Sequence, residues 1–106
     1  MLIFVSGPYT KPDPVLNTRK AVKTGIELMR MGHEVVIPHL SLFAHYLIPL
    51  SYESWLRNDL AILERCDLVL RLPGESKGAD RECARADALN IPIIDAGVDD
   101  WRKELG

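Results

Sequence analysis

The chain has 106 residues, 47% apolar and 26% charged, a size and balance that fit one small globular domain, 1–106, with a single core. Its formal net charge of −2, with no basic block, gives no footing for tracking a phosphate backbone, so no nucleic-acid polymer is expected as a partner. Cys66 and Cys83 form no CxxC pair and no Cys/His cluster has zinc spacing, so free thiols in a reducing cytoplasm, with no metal or cofactor, are the expectation.

The apolar opening MLIFV runs straight into SGP. It is too short for a signal-peptide core and far too short to span a bilayer, and no membrane partner is expected. LIFVS (2–6) reads as a buried strand closed by the loop GPYT. KPDP leads into a helix running to about Gly32, with Val15, Val22, Ile26 and Met29 on one face and Gly32 as its stop. EVVIP (34–38) is a second strand ended by Pro38. HLSLFAHYLIPL reads as a loop with one or two helical turns, a short connection that leaves little protein to read a ligand. An amphipathic helix spans about 51–65, with Ser51 as N-cap. DLVLRL (67–72) is a third strand, PGESKG a turn, and about 77–90 a further helix. The strand IPIID (91–95) and a short helix around 99–105 complete the chain.

Apolar strands alternating with helices imply a parallel sheet covered on both faces. Right-handed crossovers favour a three-layer α/β/α sandwich, a small doubly wound parallel sheet of about four strands of the flavodoxin-like or Rossmann-like kind. Ligands of such sheets bind beyond the carboxyl ends of the strands. The loops there are SGPYT, PHL and PGESKG.

Two carboxylates break the helical pattern. At about 100° per residue, Ala79, Cys83, Ala86 and Leu89 share one helix face. Glu82 falls on it, whereas Asp80, Arg81, Arg85 and Asp87 point elsewhere. On the preceding helix Tyr52, Trp55, Leu56, Ile62, Leu63 and Cys66 form the apolar stripe, with Asp59 in its middle. Burying an unpaired carboxylate costs several kcal/mol, on the order of what holds a small domain together. One reading ties each acid to an arginine, with Arg19 a candidate, or to backbone N–H groups. The other has both lining a pocket, Glu82 as nucleophile or general base and Asp59 as a proton-handling or orienting group. Paired carboxylates suit chemistry at an anomeric carbon, where negative charge stabilises an oxocarbenium-like transition state.

PGESKG adds Gly74, Gly78 and the Ser76 hydroxyl at a helix start, a site suited to a phosphate or a sugar hydroxyl as well as an ordinary turn. Glu75 places an acid beside it. In SGPYT, Gly7 permits close approach and Tyr9 can stack on a ligand, although Gly7 and Pro8 also simply make a turn. His33, His39 and His45 lack metal spacing. Only His39, at the end of the second strand, is placed near the pocket. Trp55 and Phe43 read as core that could border a base, and Asp95 as a helix lead-in that could rim the site.

Taken in order, IFVSGPYT, NDLAILERCDLVLRLPG and SKGADRECARADALNIPII resemble the nucleoside 2-deoxyribosyltransferase superfamily. The pattern is Gly7-Pro8-Tyr9, then Asp59, then Ser76-x-Gly78-x-x-x-Glu82. It is particularly similar to the 2'-deoxynucleoside 5'-monophosphate N-glycosidases and to small, often phage-associated, relatives. The resemblance implies N-glycosidic bond cleavage or transfer on a (deoxy)nucleoside or its 5'-monophosphate. Glu82 would attack C1' and Asp59 would assist departure of the base. Ser76 and Gly78 would hold the 5'-phosphate, and Gly7, Pro8 and Tyr9 of the first loop would lie near the sugar and base, with His39 joining them by its place at the strand end. It also implies a homodimer or higher homo-oligomer. The alternative is a non-catalytic nucleotide-binding or sensor domain of the same fold.

Overall fold

The computed structural model describes Met1–Gly106. The β-branched and aromatic run Leu2–Ser6 forms β1, and its period-2 alternation sends Ile3 and Val5 to one side of the sheet and Phe4 and Ser6 to the other. Helix α1 (Pro14–Arg30) starts at Asp13, whose carboxylate accepts from the amides of Val15 and Leu16 at 2.8 and 3.2 Å, with Pro14 in the first turn. Strand β2 is Glu34–Val36, two residues shorter than read, because Pro38 opens a 3-10 turn, Pro38–Leu40, that runs into α2 (Ser41–Leu47). Helix α3 (Tyr52–Leu63) is capped by the Ser51 hydroxyl, which accepts from the Ser54 amide. Strand β3 (Leu68–Arg71) leads to α4 (Lys77–Ala88), which stops where Asn90 takes φ +58°, a left-handed residue typical of a helix end. Strand β4 (Ile93–Asp95) and α5 (Trp101–Leu105) follow.

All strand pairs are parallel, in the order β2-β1-β3-β4. The chain steps from β1 to one neighbour and then crosses to the other side. The reversal in strand order therefore falls between the carboxyl ends of β1 and β3, where such folds bind ligands. On one face Ile3, Val5, Leu68 and Leu70 pack with Ala21 and Leu28 of α1 and with Trp101 and Leu105 of α5. On the other, Phe4 and Val69 pack with Leu63, Cys66 and Ala86 from the α3 and α4 side. These are the expected three layers and doubly wound parallel sheet.

The face of α1 that meets the sheet differs from the expected one. Val15, Ile26 and Met29 are exposed, and the buried positions are Asn17, Ala21, Gly25 and Leu28. Small residues win because the helix lies so close to the sheet edge that a methyl on Gly25 would overlap the Ile37 side chain. Asn17 holds the β1–α1 loop, its amide donating to the carbonyls of Tyr9 and Lys11, both at 2.9 Å. On α3, Leu56 and Leu63 are buried as expected, but Tyr52 and Ile62 are exposed, Tyr52 at the rim of a cavity. Leu89 lies outside α4 and is also exposed. Phe43, read as core, is 71% exposed.

Gly25→Val should therefore destabilise by about 2 kcal/mol through overpacking. Met29→Ala, on the outer face of the same helix, should stay within about 0.5 kcal/mol. Urea unfolding of the two variants checks the assignment.

Candidate active site

Alternation along β1 and β3 builds the floor of the site. Ser6 pairs in register with Arg71, and both belong to the side of the sheet that α4 covers. The Ser6 hydroxyl donates to Glu82 Oε1 at 2.7 Å in the interior. Glu82 is 6% exposed and has no ion pair. Arg19, the candidate partner, is exposed on α1 and makes no contact with it. Arg71, which the sequence reading did not single out, is the nearest relevant cation. Its guanidinium is already committed to the carbonyls of Leu72 and Gly74 and to Asp80 at 3.3 Å, so it braces the β3–α4 loop. Burial pushes the Glu82 carboxyl up to about 7. The Ser6 hydrogen bond opposes this, Asp59 adds to it, and Arg71 opposes it from a distance. Asp59, half-buried on α3, is raised to about 6 by burial.

Both acids line one cavity of about 870 Å³ beyond the carboxyl ends of the strands. Gly7, Tyr9, His39, Ser76 and Gly78 line it as well. Pro8 is not among them: it lines a neighbouring cleft of about 480 Å³ and meets this cavity's wall through its carbonyl. That carbonyl accepts from His39 Nε2 at 2.8 Å, so in the neutral ring Nδ1 is a bare acceptor. His39 is 4% exposed and its Nδ1 has no partner. Burial lowers its pKa, while the Pro8 and Gly7 carbonyls pull the other way, and the net direction keeps the ring neutral. Tyr9 leans on it with ring centroids 6.0 Å apart.

Gly7 is required for packing, because a Cβ there would come within 2.9 Å of Leu72 Cβ. Ser76 caps α4, its hydroxyl accepting from the Ala79 amide at 3.0 Å. The Lys77 and Gly78 amides are left without a backbone acceptor, the open donors of a helix start. A Cβ on Gly78 would sit 3.3 Å from the Tyr52 hydroxyl. Glu75 also faces the cavity, as do Lys11, Lys77 and Arg81. Asp95 is absent from the lining and instead accepts from the Gly97 amide at 2.8 Å.

The segment after β2, expected to offer little, supplies Pro38, His39, Ser41, His45 and Leu50 to the wall, and Trp55 on α3 faces them. Sequence reasoning missed Ser6, Arg71 and His45. The strand alternation that put Phe4 inside also put Ser6 toward α4, and the same period carries Arg71. His45 left no such signal. No group of three or more His, Cys, Asp or Glu side chains could hold a metal ion. No helix is long and apolar enough to cross a membrane.

A doubly wound sheet with two pKa-raised carboxyls at its switch point defines an α/β protein with a small-molecule-sized cavity. The chain belongs to the DUF4406 family, a domain of unknown function, which matches residues 1–95. Among solved structures it is similar to the 2-deoxyribosyltransferase of the psychrotolerant bacterium Bacillus psychrosaccharolyticus. The TM-score is 0.66 at 19% identity, over 90% of this chain and 71% of that one, and this likeness shows a shared fold. No curated protein matches the sequence.

The raised pKa of Glu82 has a thermodynamic consequence. The folded protein holds this proton more tightly than the unfolded chain, where the value is near 4.5. Its stabilising contribution is complete below that value and is lost as pH rises through about 7. Glu82→Gln removes the cost of ionising the buried acid while keeping an acceptor for Ser6. It should stabilise by on the order of 3 kcal/mol at pH 8, with the gain vanishing toward pH 4. Thermal unfolding across that range measures it, and a variant less stable than wild type at pH 8 would mark Glu82 as structural.

Proposed function

We propose that this protein cleaves or transfers across the N-glycosidic bond of a (deoxy)nucleoside or its 5'-monophosphate, with Glu82 as nucleophile. The observation that carries the reading is the convergence of Glu82 and Asp59, from two helices, on one cavity at the strand ends, each held toward its protonated form by burial. The ionised Glu82 carboxylate attacks C1'. The C1'–N bond breaks with its electron pair going to the base, and Asp59 delivers the proton the base needs. Water, or a second base, then displaces Glu82 from C1' and gives its proton to the Asp59 carboxylate, so that Glu82 returns to its ionised form and Asp59 to its protonated one. Ser6 orients Glu82 throughout. His39, fixed by its bond to the Pro8 carbonyl, shapes the wall beside the sugar, and Tyr9 closes over the sugar. A 5'-phosphate is received at the start of α4 by Ser76 and the free amides of Lys77 and Gly78.

The productive form has Glu82 ionised and Asp59 protonated. Because the pair titrates near 7 and 6, that form is a minor one centred between the two values. Free-base release from a panel of deoxynucleosides and their monophosphates, followed by chromatography, should show a bell-shaped kcat/KM with its maximum between about pH 6 and 7. Glu82→Gln should lower it at least about 10³-fold and Asp59→Asn about 10²- to 10⁴-fold. Tight binding with no base release from any substrate would favour the sensor reading, and a new nucleoside formed on adding acceptor base would favour transfer.

A homo-oligomer is part of this proposal. Phe43, Tyr46, Leu47 and Ile48 on and just after α2 are between 65% and 72% exposed, and no residue of α2 is buried. A contiguous apolar patch of this kind marks an association surface. Phe43→Glu with Ile48→Glu should shift the molecular mass by light scattering to that of one chain. An unchanged mass would reject this surface as the interface.

A further inference from the structure

At one end of the cavity, hydrogen bonds fix the chemistry of two side chains that the glycosyl step does not use. His45 Nδ1 lies 2.9 Å from Trp55 Nε1 and 3.2 Å from the Leu50 amide nitrogen. An indole N–H and a backbone N–H can only donate, so Nδ1 carries the lone pair and the neutral ring has its proton on Nε2. That Nε2–H donates to nothing in the protein and is not among the buried polar atoms, and both His45 and Trp55 line the cavity. The two rings meet edge to face, with centroids 6.1 Å apart at 70°, which orients the imidazole further. The cavity thus holds one preset donor whose direction is set by three contacts.

Its position follows from α3. Trp55 and Asp59 are four residues apart, so they lie on one helix face separated by a single turn, roughly 5.4 Å. If Asp59 protonates the glycosidic nitrogen, Trp55 and His45 stand about one base ring beyond it, at the exocyclic group on the far edge. This step rests on the reading of the site as a nucleoside pocket.

We propose that His45, locked as the Nε2–H tautomer by Trp55 and Leu50, is a specificity-determining residue that donates to an exocyclic oxygen of the base. The site then selects oxo bases, such as hypoxanthine, guanine, uracil and thymine, over amino bases. Adenine and cytosine present an amine at the same edge, which would set donor against donor. His45 is only half-buried, so the preference is moderate, on the order of tenfold per hydrogen bond gained or lost.

Calorimetric binding of 2'-deoxyinosine against 2'-deoxyadenosine, and of 2'-deoxyuridine against 2'-deoxycytidine, each also as the 5'-monophosphate, tests this. The pairs differ at the exocyclic position and its neighbouring ring nitrogen. Wild-type protein should bind the oxo member about tenfold more tightly, a comparison that needs no variant. His45→Asn keeps an acceptor for Trp55 and Leu50 but is too short to place an N–H at the Nε2 position, and should bring the ratio close to one. His45→Gln, which returns an N–H near the Nε2 position, should recover part of the preference. Equal or tighter binding of the amino member by wild type overturns the proposal. So does an oxo preference that survives in His45→Asn, and either result leaves the nucleoside reading standing. Failure of all eight compounds to bind overturns the nucleoside reading itself, and this proposal with it.

Discussion

The hydrogen bond from Ser6 to Glu82 joins the end of β1 to the middle of α4, and the arrangement of the site depends on it. A carboxyl carried this far inside a small protein would ordinarily meet an arginine. Here Arg71 is close enough to be felt, but its donors are taken by the loop carbonyls of Leu72 and Gly74 and by Asp80. A neutral hydroxyl holds Glu82 in place without compensating its charge. That is why the acid is oriented and its pKa still raised. A full ion pair would have stabilised the fold and depressed the pKa, removing the group from proton chemistry near neutrality.

The two faces of the sheet divide the work. The α1 and α5 face is closed and apolar, built on Ile3, Val5, Leu68 and Leu70 under Ala21, Leu28, Trp101 and Leu105. The opposite face has a smaller buried cluster, and the volume it gives up is the cavity between α3, α4 and the segment after β2. In a chain this short, the apolar burial on one side offsets the polar burial on the other. The near-contact of Gly25 with Ile37 belongs to the same economy, since small residues let α1 close tightly over the stable face.

The sequence disclosed Glu82 and Asp59 because a helix has a fixed period, and an acid within an apolar stripe is visible without knowing what covers it. The alternation of strands and helices disclosed the parallel sheet for a similar reason. The inner face of α1 was illegible because hydrophobic patterning assumes that large apolar side chains turn inward. Proximity to the sheet reversed this, burying Asn17, Ala21 and Gly25 and exposing Val15, Ile26 and Met29. Ser6 and Arg71 were legible in principle, since strand alternation assigns them the same side as Phe4 and Val69. A serine at a strand end and an arginine before a proline-containing turn simply carry no alarm on their own. His45 was illegible altogether. Its tautomer is set by Trp55, ten residues away on another helix, a pairing that no local period encodes.

The segment from Pro38 to Leu50 brings these strands together. None of the side chains of α2 is buried, and a seven-residue helix has little stability of its own. Its hold on the rest of the protein includes the His39 bond to Pro8 at one end and the His45 bond to Trp55 at the other, with the Leu50 amide bonding back to His45 within the segment. Each of these bonds also fixes the orientation of a ring in the cavity wall, leaving Nδ1 of His39 buried and Nε2 of His45 without a protein partner. The contacts that tie the segment down are therefore also the contacts that orient its two histidines in the cavity wall. A second copy packed on Phe43, Tyr46 and Ile48 would lower the freedom of the same segment and so sharpen both donors and acceptors at the cavity wall. Association and base selection would then be coupled through one short helix, because the exposed apolar face and the ligand-facing polar face are two sides of a single turn of chain.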